Sequence, residues 1–333
     1  MGKIEQVKTY QGRDLETIFF RPMLSGVDAE TLGVKVLYNM PVPTNLHFWK
    51  RSGDILQKFS SSGWSGSDGS SKYQKTIDLS RVKAEMSYSA EDYFSRVYEL
   101  IAASPEVNFE DLSGTELEVA ETALFKDSIA ESIRATMWLG DTTRDEGELS
   151  SFDGFLKRLT ADVGTDSDSV TQLTYDMTSS SLSAEALFKS LWDSAALELK
   201  ESKSQGELVF LVTSDIYANY ENELDSATLE AAYLAKQAGR ESLSYRGIPV
   251  VDVCLGSYLE DYEDMPQSFA ILTDKRNLAL AVNTASFPGT EIRMWYNPDV
   301  MENRQRAVFM AGCDYLLPEL VVMAVHEDAE EDI

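Results

Sequence analysis

LSGTELEVAETALFKDSIAESIRATMWLG, residues 112–140, decides the fold. Ser113 with Glu116 three residues on has the spacing of a reciprocal N-terminal cap, and Gly140 closes the segment. Between them Phe125, Ile129, Ile133 and Met137 recur every fourth residue, with Leu117, Ala120 and Leu124 leading into the stripe, so the spacing predicts one apolar helical face. At about 1.5 Å per residue this is a helix of roughly 40 Å. Glu116, Glu118 and Glu121 fall early and Arg134 late, the order that suits a helix dipole. No side chain on it suggests catalysis, so the helix reads as a strut around which the other segments arrange.

The chain has 333 residues, enough for one elaborated domain or two interleaved ones. Its 56 acids against 29 bases, a formal charge of −27, argue against a nucleic-acid-binding face, because phosphates reward clustered Lys and Arg. Cys254 and Cys313 each lie in an apolar stretch and read as free buried thiols of a reducing compartment. MGKIEQVKTYQGRDLE offers no apolar core for a signal peptide, and no run approaches membrane-spanning length, so a cytosolic protein is expected.

Around the long helix, residues 1–44 hold short apolar groups broken by Pro22, Pro41 and Pro43, the pattern of an extended arm. Phe19, Phe20, Met23 and Leu24 on it need cover from this subunit or another. Residues 45–86 read as a long hairpin ribbon whose tip is SSSGWSGSDGSS, residues 60–71. Ile77 and Leu79 alternate in one phase and Val82, Ala84 and Met86 in the other, so a bulge or twist falls near Ser80 or Arg81. A two-stranded ribbon is marginal alone; Trp49, Phe59 and Trp64 are its expected anchors on another surface. Ser89 with Asp92 starts a short helix that Ser104-Pro105 ends, and a second amphipathic helix spans Ser183 to Lys200 through Ala186, Leu187, Leu191, a partly buried Trp192 and Leu197. ELVFLVT, residues 207–213, is a strand, after which Ser214 caps a helix through Ile216 and Tyr220. A strand starts at Gly247; residues 269–272 and 278–282, joined through Asp274–Asn277, read as a hairpin; Ile292, Met294 and Tyr296 alternate in a further strand. The apolar run 316–325 precedes an acidic tail, HEDAEEDI.

The usual chemistries find little support. With only His47 and His326, a His-based triad or multi-His metal site is nearly excluded. The turn TSDIYAN lacks the glycines and lysine of a phosphate loop, and GWSGSDG is not a nucleophile elbow. Asp166 and Asp168 lack the partners of a calcium loop, and the pairs Glu260-Asp261 and Glu263-Asp264 read as solvated charge. No catalytic residue, cofactor or metal is expected.

The order of parts resembles the major capsid protein of tailed phages, the fold type named after phage HK-ninety-seven and shared with encapsulin shells. WLGDTT with FDGFLKRL looks like the family's exit from its spine helix, and ELVFLVTSDIYANY like its strand followed by a helix. YRGIPVVDV is similar to a strand of its axial domain, MPQSFAILTDKRNLALAV to its late hairpin, and ENRQRAVFMAGCDYLLPELVVMAV to its return strand. The resemblance implies an α+β fold with an N-terminal arm (1–44), an extended ribbon loop (45–86) and a peripheral domain (87–150) with spine helix 113–139. It further implies an axial domain (151–290) and then a return strand with acidic tail (291–333). The implied role is structural and non-enzymatic: self-assembly, as hexamers and pentamers, into an icosahedral head around double-stranded DNA, without sequence-specific binding or a membrane. It would assemble in the host cytoplasm and reside in the virion, with possible scaffold, portal and decoration partners. Phe19, Phe20, Met23, Trp49, Phe59, Trp64 and Tyr73 are the subunit-interface candidates. The chain starts at the arm with no scaffolding segment before it, so the scaffold is expected to be separate or already removed. Lys50, Lys58, Lys72 and Lys75 with Asn297 and Asn303 could supply Lys–Asn cross-links, but the acceptor motif is not matched and none is expected. An encapsulin-like compartment, another phage head or tail protein and an α/β enzyme are the open alternatives.

Overall fold

The computed structural model describes residues 8–10, 32–39, 44–51, 70–89, 116–145, 147–164, 169–178, 181–226, 243–261, 266–284, 291–297, 299–300 and 302–326. In chain order these form strands β1 (Lys8–Tyr10), β2 (Lys35–Tyr38), β3 (Thr44–Arg51), β4 (Ser70–Ile77) and β5 (Ser80–Ser89), then helices α1 (Glu116–Leu139) and α2 (Phe155–Ala161). Next come β6 (Thr171–Tyr175), α3 (Ala184–Ser194), α4 (Leu197–Ser202), β7 (Leu208–Val212) and α5 (Ser214–Ser226). The last third runs β8 (Ser244–Tyr245), β9 (Ile248–Asp252), α6 (Gly256–Asp261), β10 (Phe269–Asp274), β11 (Leu278–Asn283), β12 (Glu291–Asn297), β13 (Glu302–Tyr315) and β14 (Val321–His326).

The strands form two six-stranded sheets and a separate two-stranded ribbon, β3 with β4. The first sheet runs β1-β12-β13-β11-β2, with β5 also on β13; the second runs β6-β14-β10-β7-β9-β8. The central strands of the second sheet read as unbroken apolar runs because both faces are covered. Val209, Leu211, Phe269, Ile271 and Met323 point into a core shared with α1 and the first sheet. Their neighbours Phe210, Val212, Ala270, Leu272 and Val322 point into a second core under α3 and α5. The α1 stripe is buried as its spacing predicts, Phe125, Ile129, Ile133 and Met137 all being at most 4% exposed. Trp138, fully buried, joins the layers, its ring centre 5.3 Å from Phe155 on α2 and 6.1 Å from Phe269 on β10. Leu124 departs from the stripe: it is half exposed.

β13 organises the first sheet. Met310 and Ala311 pair with β5 on one side and β11 on the other, while Glu302 to Val308 pair with β5 and β12. β11 and β12 thus follow one another along the same edge of β13. The expected hairpin of residues 269–272 with 278–282 does not form. β10 lies in the second sheet and β11 in the first, and a 3-10 turn at Lys275–Asn277 carries the chain between them. Every residue of both strands is buried, so their composition gives no clue to which sheet each joins.

Other expectations are revised. The ribbon pairing ends at Ile77; after Asp78-Leu79 the chain starts β5, which pairs with β13 and so belongs to the first sheet. The arm is not wholly free: β1 pairs with β12 and β2 with β11, and Leu32 and Val34 are buried. The final apolar run gives β14, which lies between β10 and β6 in the second sheet rather than returning to the first. The helix expected over 183–200 breaks at Ala195-Ala196, where extended backbone separates α3 from α4; Leu197 is exposed at the break and Ala186 is also exposed. Ser183 caps α3 through the Ala186 N–H. Ser214 does not cap α5, its hydroxyl donating instead to Asp252 at 2.9 Å, whereas the Thr213 carbonyl accepts from the Tyr217 N–H. Cys313 is buried, but Cys254 is exposed.

Candidate functional site

Among the described residues no group of three or more His, Cys, Asp and Glu could hold a metal, and no helix is long and apolar enough to cross a membrane. His326 is the last residue of β14 and accepts from the Met177 N–H at 3.1 Å. The feature that stands apart from the layered core is the ribbon, whose two strands find no third strand among the described residues.

The ribbon is rooted on the outer face of the first sheet. Ile77, fully buried at the end of β4, packs with Ala279 and Ala281 of β11, and Leu37 and Leu79 flank them. Gly312 of β13 admits the chain here, since a Cβ on it would lie 2.2 Å from the Asp78 carbonyl oxygen. Beside this contact Asp314, with a side chain only 3% exposed, meets Arg158 of α2 at 3.2 Å and Lys75 of β4 at 3.6 Å. It also accepts from the Tyr315 N–H, and Lys75 stands 4.6 Å from the Tyr315 ring centre. The Tyr315 hydroxyl donates to Asp162. Burial pushes the Asp314 carboxyl above its ordinary range, while Lys75 and Arg158 pull it back. Burial likewise pushes the Tyr315 hydroxyl and the Cys313 thiol up. One carboxylate thus ties together β4, α2 and β13. Burial already works against the ionised Asp314, and its partners Lys75 and Arg158 stay partly exposed, so Asp314→Asn should cost less than the loss of one partner from a fully buried pair, about 1–3 kcal/mol of global stability. It should also loosen the ribbon root, read as faster hydrogen exchange at the β4 amides; unchanged exchange there would mean that Ile77 alone holds the root.

A second polar cluster fixes the exit from α1. Lys157 reaches Asp141 at 2.7 Å and Asp153 at 2.5 Å, and Asp153 accepts from the Thr142 N–H and hydroxyl. The Lys157 bond holds the Asp141 carboxyl down at about 2. Burial opposes ionisation of Asp153, yet Lys157 and Thr142 outweigh it and its pKa is lowered. Burial likewise works against the Lys157 ammonium, but the two carboxylates win and raise its pKa. The signs agree: the acids stabilise the fold above their ordinary 3.8 and lose that contribution as pH falls toward 2, and the lysine does so below its ordinary 10.5. Lys157→Met should therefore cost about 1 kcal/mol at neutral pH. In urea titrations the gap from the unsubstituted chain should close between pH 4 and 2. A gap independent of pH would assign the loss to packing.

Of the interface candidates, Phe19, Phe20, Met23, Phe59 and Trp64 lie outside the described residues, as do the helix expected after Ser89, Ser113 of the expected cap and the loop around Asp166 and Asp168. Trp49 and Tyr73 lie on the ribbon strands, Trp49 in register with Lys72 and Tyr73 with Phe48. The Asp314 cluster was missed in the sequence. Its one signal is an aspartate inside the otherwise uncharged stretch 307–318.

No family model matches this chain, and no curated protein matches it in sequence. Similar solved structures do exist. A chain of "Satellite phage P4 procapsid including size determination (Sid) protein" is 12% identical, with 93% of this chain and 98% of that chain covered at a TM-score of 0.54. A chain of "Gordonia phage Cozz" is 12% identical over 91% and 88%, at 0.53. A chain of "Capsid of empty GTA particle computed with C5 symmetry" is 14% identical over 91% of each, at 0.52. At this identity the likeness establishes the fold: the chain has the α+β fold found in phage capsid structures.

Proposed function

We propose that this chain is a major capsid subunit that self-assembles into the icosahedral head shell of a tailed phage, enclosing double-stranded DNA. The observation that carries the reading is the match along nearly the full length of both chains to a phage procapsid protein. The ribbon supports it, because two long strands outside both sheets suit a role between subunits, where large apolar contacts form. The role is structural rather than catalytic. In this reading the arm and ribbon, with Phe19, Phe20, Met23, Trp49, Phe59, Trp64 and Tyr73, meet neighbouring copies in hexamers and pentamers. Residues 87–150 with α1 form the peripheral part, and the second sheet with α3 and α5 the axial part. The subunit assembles in the host cytoplasm, with separate scaffold, portal and decoration proteins as candidate partners. A wall of net charge −27 does not grip phosphates, which lets packed DNA slide.

Electron microscopy and light scattering of the purified chain test the reading: shells or capsomers are expected, and monomers alone would refute it. Like charges of −27 per subunit repel, over a screening length of about 8 Å at physiological ionic strength. The critical concentration for assembly should fall as sodium chloride rises from low to moderate. A rise instead would mean that ion pairs outweigh apolar burial in holding subunits together.

A further inference from the structure

Among the described residues, the outer face of the first sheet is covered by the ribbon root at one end only. At the other end β5, β13 and β12 display Arg81, Lys83, Glu85 and Ser87; Glu302, Arg304, Arg306 and Val308; and Glu291, Arg293 and Trp295. Five bases stand against three acids, a local charge of +2 that leaves −29 on the rest of a −27 chain. Arg306 lies 5.7 Å over the Trp295 ring, and a shallow depression of about 260 Å³ opens between these two, Arg304, Glu85 and Ser87. Exposed arginine beside tryptophan is the composition of interface anchors rather than of plain solvated surface.

We propose that this face docks a carboxylate-rich surface of a second copy of the chain. The inference rests on the shell reading above and names one contact within it. Charge complementarity selects the occupant: the surface of every other copy is strongly acidic, and this face is locally basic. Arg306 and Arg293 each meet their glutamate through Nε, Arg306–Glu85 and Arg293–Glu291 both at 2.6 Å. That geometry leaves the terminal guanidinium nitrogens for a second, forked carboxylate contact. Phosphates suit the face poorly, since Glu85, Glu291 and Glu302 are interleaved with the bases and would repel a polyanion along its length. A carboxylate on a protein can be placed between them.

Arg304→Gln with Arg306→Gln tests the contact against a control of equal charge, Lys189→Gln with Lys203→Gln, both exposed around α3 and α4. Critical concentrations are measured by light scattering from low to moderate sodium chloride. The face variant should need about tenfold more protein than the control at low salt, and the difference should shrink as salt screens the contact. Thermal melting checks that the variants fold, and Arg293→Gln, on the same face, takes the test if the double variant does not. Equal thresholds for variant and control would overturn the contact while leaving the shell reading intact. Failure of the unsubstituted chain to assemble would overturn both. Retention of double-stranded DNA by the unsubstituted chain that Arg304→Gln/Arg306→Gln abolishes would assign the face to phosphates and overturn it too.

Discussion

Deletion of residues 60–71 should leave the subunit folded and raise the critical concentration for assembly at least a hundredfold. The fold should survive because the ribbon root lies beyond the cut: Ile77 packs on Ala279 and Ala281, and Lys75 holds Asp314, both in the retained part of β4. β5, which follows, is secured by pairing with β13 from Ser80 to Ser89. Assembly should fail because the cut removes Trp64. Burying a tryptophan hides roughly 150–250 Å², worth about 4–6 kcal/mol at about 25 cal/mol per Å². Even half of that, after ordering costs, is a hundredfold per contact. Circular dichroism and scattering on the same sample decide it. Shells at the threshold of the full chain would show that the tip takes no part in assembly, and an unfolded subunit would show that it belongs to the intramolecular core.

How much of this could be read in the sequence depended on whether a residue pattern distinguishes one face from another. The α1 stripe did: acids and apolar residues alternate at helical spacing, and Phe125, Ile129, Ile133 and Met137 are buried accordingly. β7 was legible as a strand, being short, apolar and followed by a polar helix start. Which sheet β10 and β11 join was not, because strands buried on both faces carry no alternation to orient them. A three-residue link between two such strands suggests a hairpin by length alone, yet here it joins two layers. The fate of β14 was hidden for the same reason. In the ribbon, the change of phase after Leu79 did mark where the chain leaves β3 for β13, but the pattern could not name the new partner. The Asp314 cluster draws Lys75, Arg158 and Asp162 from two other segments, and single residues so far apart leave no spacing to recognise.

Gly140→Ala should be the most damaging single methyl addition in the described structure. Neither Gly140 nor Gly154 has a left-handed backbone, so the requirement is for space rather than for conformational freedom. A Cβ on Gly140 would stand 2.1 Å from the Phe152 carbonyl oxygen and 2.5 Å from that of Thr136. A Cβ on Gly154 would stand 2.6 Å from the Gly140 nitrogen and 2.7 Å from the Trp138 carbonyl oxygen. These are backbone atoms, which cannot turn away as a side chain would. Separating the two strands of this crossing would break the bond from the Gly154 N–H to the Gly140 carbonyl, 2.8 Å, and pull Phe155 from Trp138. Overpacking at about 1–3 kcal/mol and a lost buried hydrogen bond at about 1–2 kcal/mol give roughly 2–5 kcal/mol for either alanine. Gly206→Ala is the contrasting case, with φ of +75° and nothing within 4 Å of its Cβ, and should cost only about 1 kcal/mol from the left-handed backbone. The double variant Gly140→Ala/Gly154→Ala should lose less than the two singles together, because one displacement of the crossing relieves both collisions. Denaturant titrations of the four variants separate these terms. Equal costs at Gly140 and Gly206 would show that the exit from α1 opens without resistance, and that the Lys157 clasp rather than the glycine contact sets where α2 begins.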